Sequence, residues 1–381
     1  MQQHVYQLGT KSVPSASLGR PRKGATRLQA PPVLEHRRAD TKASEAPRHP
    51  FKATIALFAA LRKDCDVVAL KKPQTLIQAV RYFDPETAEL YLKSIKWPDG
   101  PCCPQCGSVS VGSIKSRRRY QCREKGCRKQ FSVLTGTIFE GTHLGLDKWV
   151  VAIWMIVNCR NGVSSCEIAR TIGCKQQSAW HLLHRVRHCL QQASDRLSGT
   201  VEADATYVGG IVKNMNKTRR REVRSRGAWS NKTTVHAVRE RASGQVRADV
   251  IGDETGETIR GVISRRVEPR SYLHTDASPS YGWASRPFSE YPRSAVNHAR
   301  DEYVRDNVHV NGCENFFNCL RRAVKGTYVR PAPEHLGAYV DEAVFRFNVR
   351  NETEWDRFDA AMRLAVGKRL TYSKLTGGAI R

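Results

Sequence analysis

The sequence contains no run of about 18 consecutive apolar residues, the minimum for a transmembrane helix, so no such helix is expected. The charged N-terminus is followed by no apolar segment, which argues against a secretory signal. Acidic residues are scarce: 36 Asp and Glu stand against 63 Lys and Arg, a net charge of +27 in 381 residues. An excess that large favours a polyanionic partner, because each cation that neutralises a phosphate releases counterions. Nucleic acid is therefore preferred over a ribosomal-type role or a membrane surface. No internal repeat is present. Twelve cysteines in a basic chain without a secretory signal read as thiols and metal ligands rather than disulfides, and the expected compartment is a reducing cytoplasm.

A chain this long implies two or three units. Residues 1–72 are basic and without pattern, with nine Lys or Arg against three acids in the first fifty, and read as a disordered extension. Order is expected from Thr75, where Leu76, Ile77, Val80 and Phe83, then Ala88, Leu90, Tyr91 and Ile95, recur at helical spacing across a break at Pro85. The expected division is 73–140 for a Cys-rich unit with its preceding helices, 141–195 for a helical unit, 196–350 for a mixed unit of strands and helices, and 351–381 for a C-terminal tail.

Cys103-Pro-Gln-Cys106 and Cys122-Arg-Glu-Lys-Gly-Cys127 form two short Cys pairs, the spacing at which four thiolates converge on one Zn²⁺. Gly107 and Gly126 would allow the knuckle turns, and Val109–Ile114 and Arg119–Gln121 would pair as strands, giving a zinc ribbon. Cys102 is a possible substitute for Cys103. Four unmetallated thiols or a disulfide pair are the plainer readings, and the regular spacing favours zinc. A closed four-thiolate site is structural and supports folding directly.

Val163–Gly173 followed by Cys174–Arg187 fits a helix-turn-helix. Ser164 or Ser165 would cap the first helix, with Ile168, Ala169 and Ile172 facing inward. Ala179, Leu182, Leu183 and Val186 would form the inner face of the second. Gln176, Gln177 and His181 are then left near its N-terminal end, where a recognition helix reads base edges. An ordinary helical hairpin is the alternative.

Carboxylates recur at three places. Glu202 and Asp204 share one face of a strand over Thr200–Val208, and a buried face carries two acids only if they are paired or bind metal. Asp276 ends a short apolar strand. In the segment from Asn311 to Arg322, Cys313, Phe316, Phe317 and Leu320 make an apolar stripe, leaving Asn311, Glu314, Asn318 and Arg321 on the other side. Each acid alone reads as a solvated charge. Together they could hold two Mg²⁺ or Mn²⁺ ions about 3.5–4 Å apart, the arrangement that activates an attacking hydroxyl and neutralises a leaving oxygen in phosphoryl transfer.

From Thr75 to Arg350 the chain resembles bacterial insertion-sequence transposases that carry an N-terminal zinc ribbon. The stretches that carry the likeness are Ile95-Lys-Trp-Pro-Asp-Gly-Pro, Cys103-Pro-Gln-Cys-Gly, Phe131-Ser-Val-Leu-Thr-Gly-Thr-Ile-Phe139 and Val201-Glu-Ala-Asp-Ala-Thr-Tyr-Val-Gly-Gly210. They continue with His274-Thr-Asp-Ala-Ser, His309-Val-Asn-Gly-Cys-Glu-Asn-Phe-Phe and Asp341–Arg350. The resemblance implies an α+β protein of several domains: zinc ribbon, helix-turn-helix and an RNase H-like DDE catalytic core. It also implies double-stranded DNA as partner, a homo-oligomer in the synaptic complex, a structural Zn²⁺ and two catalytic Mg²⁺ or Mn²⁺ ions. Asp204 and Asp276 correspond to the first two acids. The third position is Asn311 or Glu314; Glu314 is the better ligand chemically, and Arg321 stands at the family's downstream Lys. Ala205 replaces a common Glu and Phe317 a common Trp, neither change removing a ligand. Arg219, Arg220 and Arg221 are expected to meet the DNA backbone. The runner-up reading is a transposase-derived DNA-binding regulator that does not cut.

Overall fold

The computed structural model describes residues 72–377, apart from 210–212, 214, 226–231, 287–288, 298–299, 303 and 330. The basic extension read at 1–72 lies almost wholly outside the described residues. The described residues belong to one compact unit. Among the described residues no helix is long and apolar enough to cross a membrane.

Helix α1 (Leu76–Tyr82) is capped by Thr75, and α2 (Pro85–Lys96) by Asp84, whose Oδ1 accepts from Glu86 N and Thr87 N. Pro85 therefore breaks the helical repeat by opening the second helix, at its first position, where an N–H would have no intrahelical partner. The ribbon follows as β1 (Val111–Ile114), β2 (Arg119–Cys122) and β3 (Gln130–Phe131), all antiparallel. The short β3 carries no period of its own in the sequence. Val109, expected in the first strand, precedes it and is exposed.

Helix α3 (Leu146–Asn158) buries Trp149, Ile153, Trp154 and Ile156 together with most of its other residues, and a helix apolar on nearly all sides belongs at the centre of a core. Around it pack α4 (Ser165–Ile172) and α5 (Gln176–Cys189). Ser164 accepts from Glu167 N, and Gly173 takes φ 66°, the left-handed geometry that permits the turn between the two helices. The stretch read as a C-terminal tail supplies α10 (Glu354–Leu364), whose Trp355, Phe358, Ala361 and Met362 are buried in this same core.

The second half of the unit is a five-stranded mixed sheet. Strands β4 (Thr200–Gly209), β5 (Lys232–Glu240), β6 (Val246–Ile251), β7 (Tyr272–Asp276) and β8 (Arg293–Val296) lie in the order β6-β5-β4-β7-β8. The pairs β4/β5 and β5/β6 are antiparallel; β4/β7 and β7/β8 are parallel. Helix α6 (Lys217–Ser225) lies in the basic insertion between β4 and β5. One face of the sheet is covered by α7 (Gly256–Arg266) through Ile259, Val262 and Ile263. The other is covered by α8 (Asn311–Arg322) and α9 (Leu336–Asn348) through Phe316, Phe317, Leu320, Val340 and Phe347. Helix α8 runs directly into a π-helical turn, Ala323–Tyr328, which its apolar period does not foreshadow.

Candidate active site and metal centre

Ala203 pairs with Thr275 in the parallel β4/β7 ladder. One residue further on, Asp204 and Asp276 stand beside each other on neighbouring strands and project to the same face. Arg293 of β8 holds the end of β7, donating from Nη2 to Asp276 O at 2.7 Å and from Nε to Thr275 Oγ1 at 2.8 Å. Asp276 Oδ1 accepts from Ser278 N at 3.2 Å. Asp204 Oδ1 accepts from Ala205 N at 2.8 Å.

The third acid arrives on α8, which is fastened to β4 at both ends. At its start, Gly312 N and Cys313 N donate to Glu202 Oε2; at its far end Arg321 Nη2 donates to Thr206 Oγ1 at 2.6 Å. From residue 312 to residue 321 a helix rises about 13–14 Å, and from 202 to 206 a strand advances about 13 Å. The two spans match, so the helix follows the strand and Asp204, midway between the fastenings, faces it. Burial raises the pKa of Asp204 to about 7, reinforced by the negative charges of Asp276 and Glu314 and opposed by the Ala205 N–H and by Arg321. Asp204 thus lies within electrostatic reach of three of the residues singled out in the sequence. Asn311 is exposed in the first turn of the same helix. The charges of Asp276 and Glu314 both act on the half-buried Asp204, and carboxylate oxygens are the donors a hard divalent cation takes, which would relieve that repulsion.

The sulfurs of Cys103, Cys106, Cys122 and Cys127 all lie within 4.8 Å of one another, with 3.6 Å for both Cys103–Cys127 and Cys106–Cys122. A tetrahedral centre with Zn–S bonds near 2.3 Å would place the sulfurs about 3.8 Å apart, so the donor set fits zinc. Cys102 is not part of the cluster. Gly107, with φ 74°, donates to Cys103 O at 2.9 Å and closes the first knuckle. In the second knuckle the left-handed residue is Arg128 (φ 48°), not Gly126, because Cys127 and Arg128 both turn back to Glu124 O.

Gln176 and Gln177 are exposed at the N-terminal end of α5, and Gln176 Nε2 donates to Ser165 Oγ at 2.8 Å. His181 is half-buried, edge-on to the ring of Tyr372, and burial together with Arg185 lowers its pKa. Arg220 turns back on its own segment, donating to Lys213 O at 2.9 Å and Met215 O at 3.0 Å, whereas Arg221 is exposed. The Arg219 side chain lies outside the described residues.

Several buried polar contacts of the sheet have no local signature in the sequence. His236 Nε2 meets Tyr281 Oη at 3.0 Å in the buried layer of β5, and Arg239 and Arg241 reach Glu202 from the same strand and its end. Pairing registers fix these meetings, and registers depend on tertiary packing.

Residues 196–348 match the family of ISXO2-like transposase domains, and residues 84–130 match the transposase zinc-ribbon domain. The chain is 28% identical over 243 residues to an uncharacterized protein in transposable element ISH50 of Halobacterium salinarum, covering 61% of this chain and 80% of that one. A chain of the simian T-cell lymphotropic virus intasome, solved by cryoEM in complex with PP2A regulatory subunit B56 gamma, is similar at 16% identity. That match covers 51% of this chain and 70% of the other with a TM-score of 0.26, too weak a likeness to carry an argument.

Proposed function

Because this chain belongs to the insertion-sequence transposases that place a zinc ribbon ahead of an ISXO2-like transposase domain, we propose that it is a catalytically competent DDE-type enzyme acting on the DNA ends of its element. The observation that carries this reading is that Asp276, on the strand beside Asp204, and Glu314, on α8, both act electrostatically on Asp204. The order of the sheet, with an antiparallel edge and a parallel edge meeting at β4, supports an RNase H-like core.

In this reading the three carboxylates would hold two divalent cations, which would supply Lewis-acid stabilisation to phosphodiester transfer. The chain itself does the positioning. Arg293 fixes the end of β7 and so the direction of Asp276. Arg321, on the same side of α8 as Glu314 and tied to Thr206, offers a cation to the phosphate beside the acids. Glu314 is the third ligand, since an anionic carboxylate binds a hard cation better than the amide of Asn311. Four cysteines hold Zn²⁺ and thereby the ribbon. Gln176, Gln177 and His181 read the terminal sequence, while Arg219, Arg220 and Arg221 bind the backbone of double-stranded DNA. Ends are joined in a synaptic complex of more than one copy.

The test is a strand-transfer assay with Mg²⁺ or Mn²⁺ on DNA carrying the element's ends. Wild type cleaves and joins; Asp276→Asn binds the ends and retains zinc but loses cleavage by orders of magnitude. Equal cleavage by the variant removes the assignment.

A further inference from the structure

Glu202 stands two residues before Asp204 on the same face of β4, and its side chain is wholly buried. Burying a carboxylate is costly unless charge and hydrogen bonds compensate it. Here Oε2 accepts Gly312 N at 2.7 Å and Cys313 N at 3.2 Å, both in the first turn of α8. Oε1 accepts Arg241 Nε at 2.9 Å and lies 3.4 Å from Arg239 Nη1 and 3.5 Å from His309 Nδ1. The four hydrogen bonds, from Gly312 N, Cys313 N, Arg241 Nε and Arg239 Nη1, occupy about all four lone-pair directions of a carboxylate, which leaves no position for a metal ion.

Helix α8 has no side-chain cap of its own, because Val310 occupies the capping position. Glu202 provides the missing acceptor from a neighbouring strand, with its charge at the positive end of the helix dipole. Arg241 extends the hold to the segment entering the helix, donating to Asn307 Oδ1 and His309 O at 3.0 Å each. Gly312 makes the close approach possible. A Cβ there would lie 2.5 Å from Glu202 Oε2 and closer still to Arg239 Nη1.

We propose that Glu202 is a positioning residue, which pins the start of α8 to β4 and so holds Glu314, in that same first turn, at the distance from Asp204 that a shared cation requires. The proposal rests on the reading of Asp204, Asp276 and Glu314 as metal ligands. Glu202 itself touches neither cation nor DNA.

The experiment compares full-length wild type with Glu202→Gln, Gly312→Ala and Asp276→Asn, measuring Mn²⁺ binding by calorimetric titration, the Mn²⁺ dependence of end cleavage, zinc content and end binding. Glu202→Gln and Gly312→Ala should each weaken Mn²⁺ binding roughly 10- to 100-fold, the usual effect of losing a group that orients a ligand, with zinc and end binding unchanged. Raising Mn²⁺ should recover most of the cleavage, since the ligands themselves remain. The double variant should be little worse than the poorer single one, because both changes act on the same contact.

Wild-type Mn²⁺ binding in both variants, with only a lower melting temperature, overturns the proposal in favour of a purely structural role. Loss of Mn²⁺ binding in Glu202→Gln that no Mn²⁺ concentration recovers, beside normal binding in Gly312→Ala, overturns it by making Glu202 a ligand. If Glu202→Gln does not fold, Gly312→Ala and Arg241→Gln decide by the same titration. Wild-type binding and cleavage in Asp276→Asn would instead defeat the underlying reading of the acids, whatever Glu202 does.

Discussion

Glu342 is fully buried between Arg187 of α5 and Arg346 of its own helix, and also accepts from Tyr328 Oη. Arg187, itself 1% exposed, lies 4.0 Å over the ring of Tyr339. Removing the acid would leave two guanidinium groups without their counter-charge. Glu342→Ala should therefore destabilise the protein by about 3–5 kcal/mol, read as a shift in the urea midpoint. A titratable group with the opposite consequence is His236, whose burial depresses its pKa to about 4 while Asp249 pulls it upward. The unfolded chain accepts a proton near pH 6.5 that the folded one refuses. Stability from this residue is complete above pH 6.5 and falls as pH drops toward 4, by on the order of 3 kcal/mol in all. Unfolding by urea across that window should show a shallower pH slope in His236→Gln than in wild type.

Helix α8 illustrates what the sequence discloses and what it withholds. The apolar stripe read at Cys313, Phe316, Phe317 and Leu320 is the buried face of the helix, and the strand alternation around Asp204 and the strand end at Asp276 are where the periods put them. Local periodicity carries that much because it follows from backbone geometry alone. The role of Glu202 is not legible: its period marks a shared face, while its partners Gly312, Cys313 and Arg241 come from elements far along the chain. The π-helical turn after Arg322, the small strand β3 and the packing of α10 likewise depend on distant partners. The far fastening of α8 gives a test at this scale. Thr206→Val keeps the volume but removes the acceptor of Arg321, and should cost about 1 kcal/mol of stability and lower the rate of end cleavage. In the ribbon, Cys106→Ser should lose zinc and unfold that segment, measured by metal content and protease resistance. Full zinc content in that variant would reassign the cluster.

At the scale of the molecule, a net charge of +27 predicts DNA binding that weakens steeply with salt. Arg221→Ala should weaken binding to every sequence and flatten the salt slope by about one counterion, whereas Gln177→Ala should change which end sequence is preferred. Fluorescence anisotropy with matched and scrambled ends separates the two effects. The central claim is that acids from β4, β7 and α8 form one cation centre. Its most direct measurement is a Mn²⁺ titration of the zinc-loaded protein, wild type against Asp204→Asn, Asp276→Asn, Glu314→Gln and Asn311→Ala. The account predicts that each acid replacement removes or severely weakens the same Mn²⁺ binding while Asn311→Ala changes it little; wild-type Mn²⁺ binding in Asp276→Asn would contradict it.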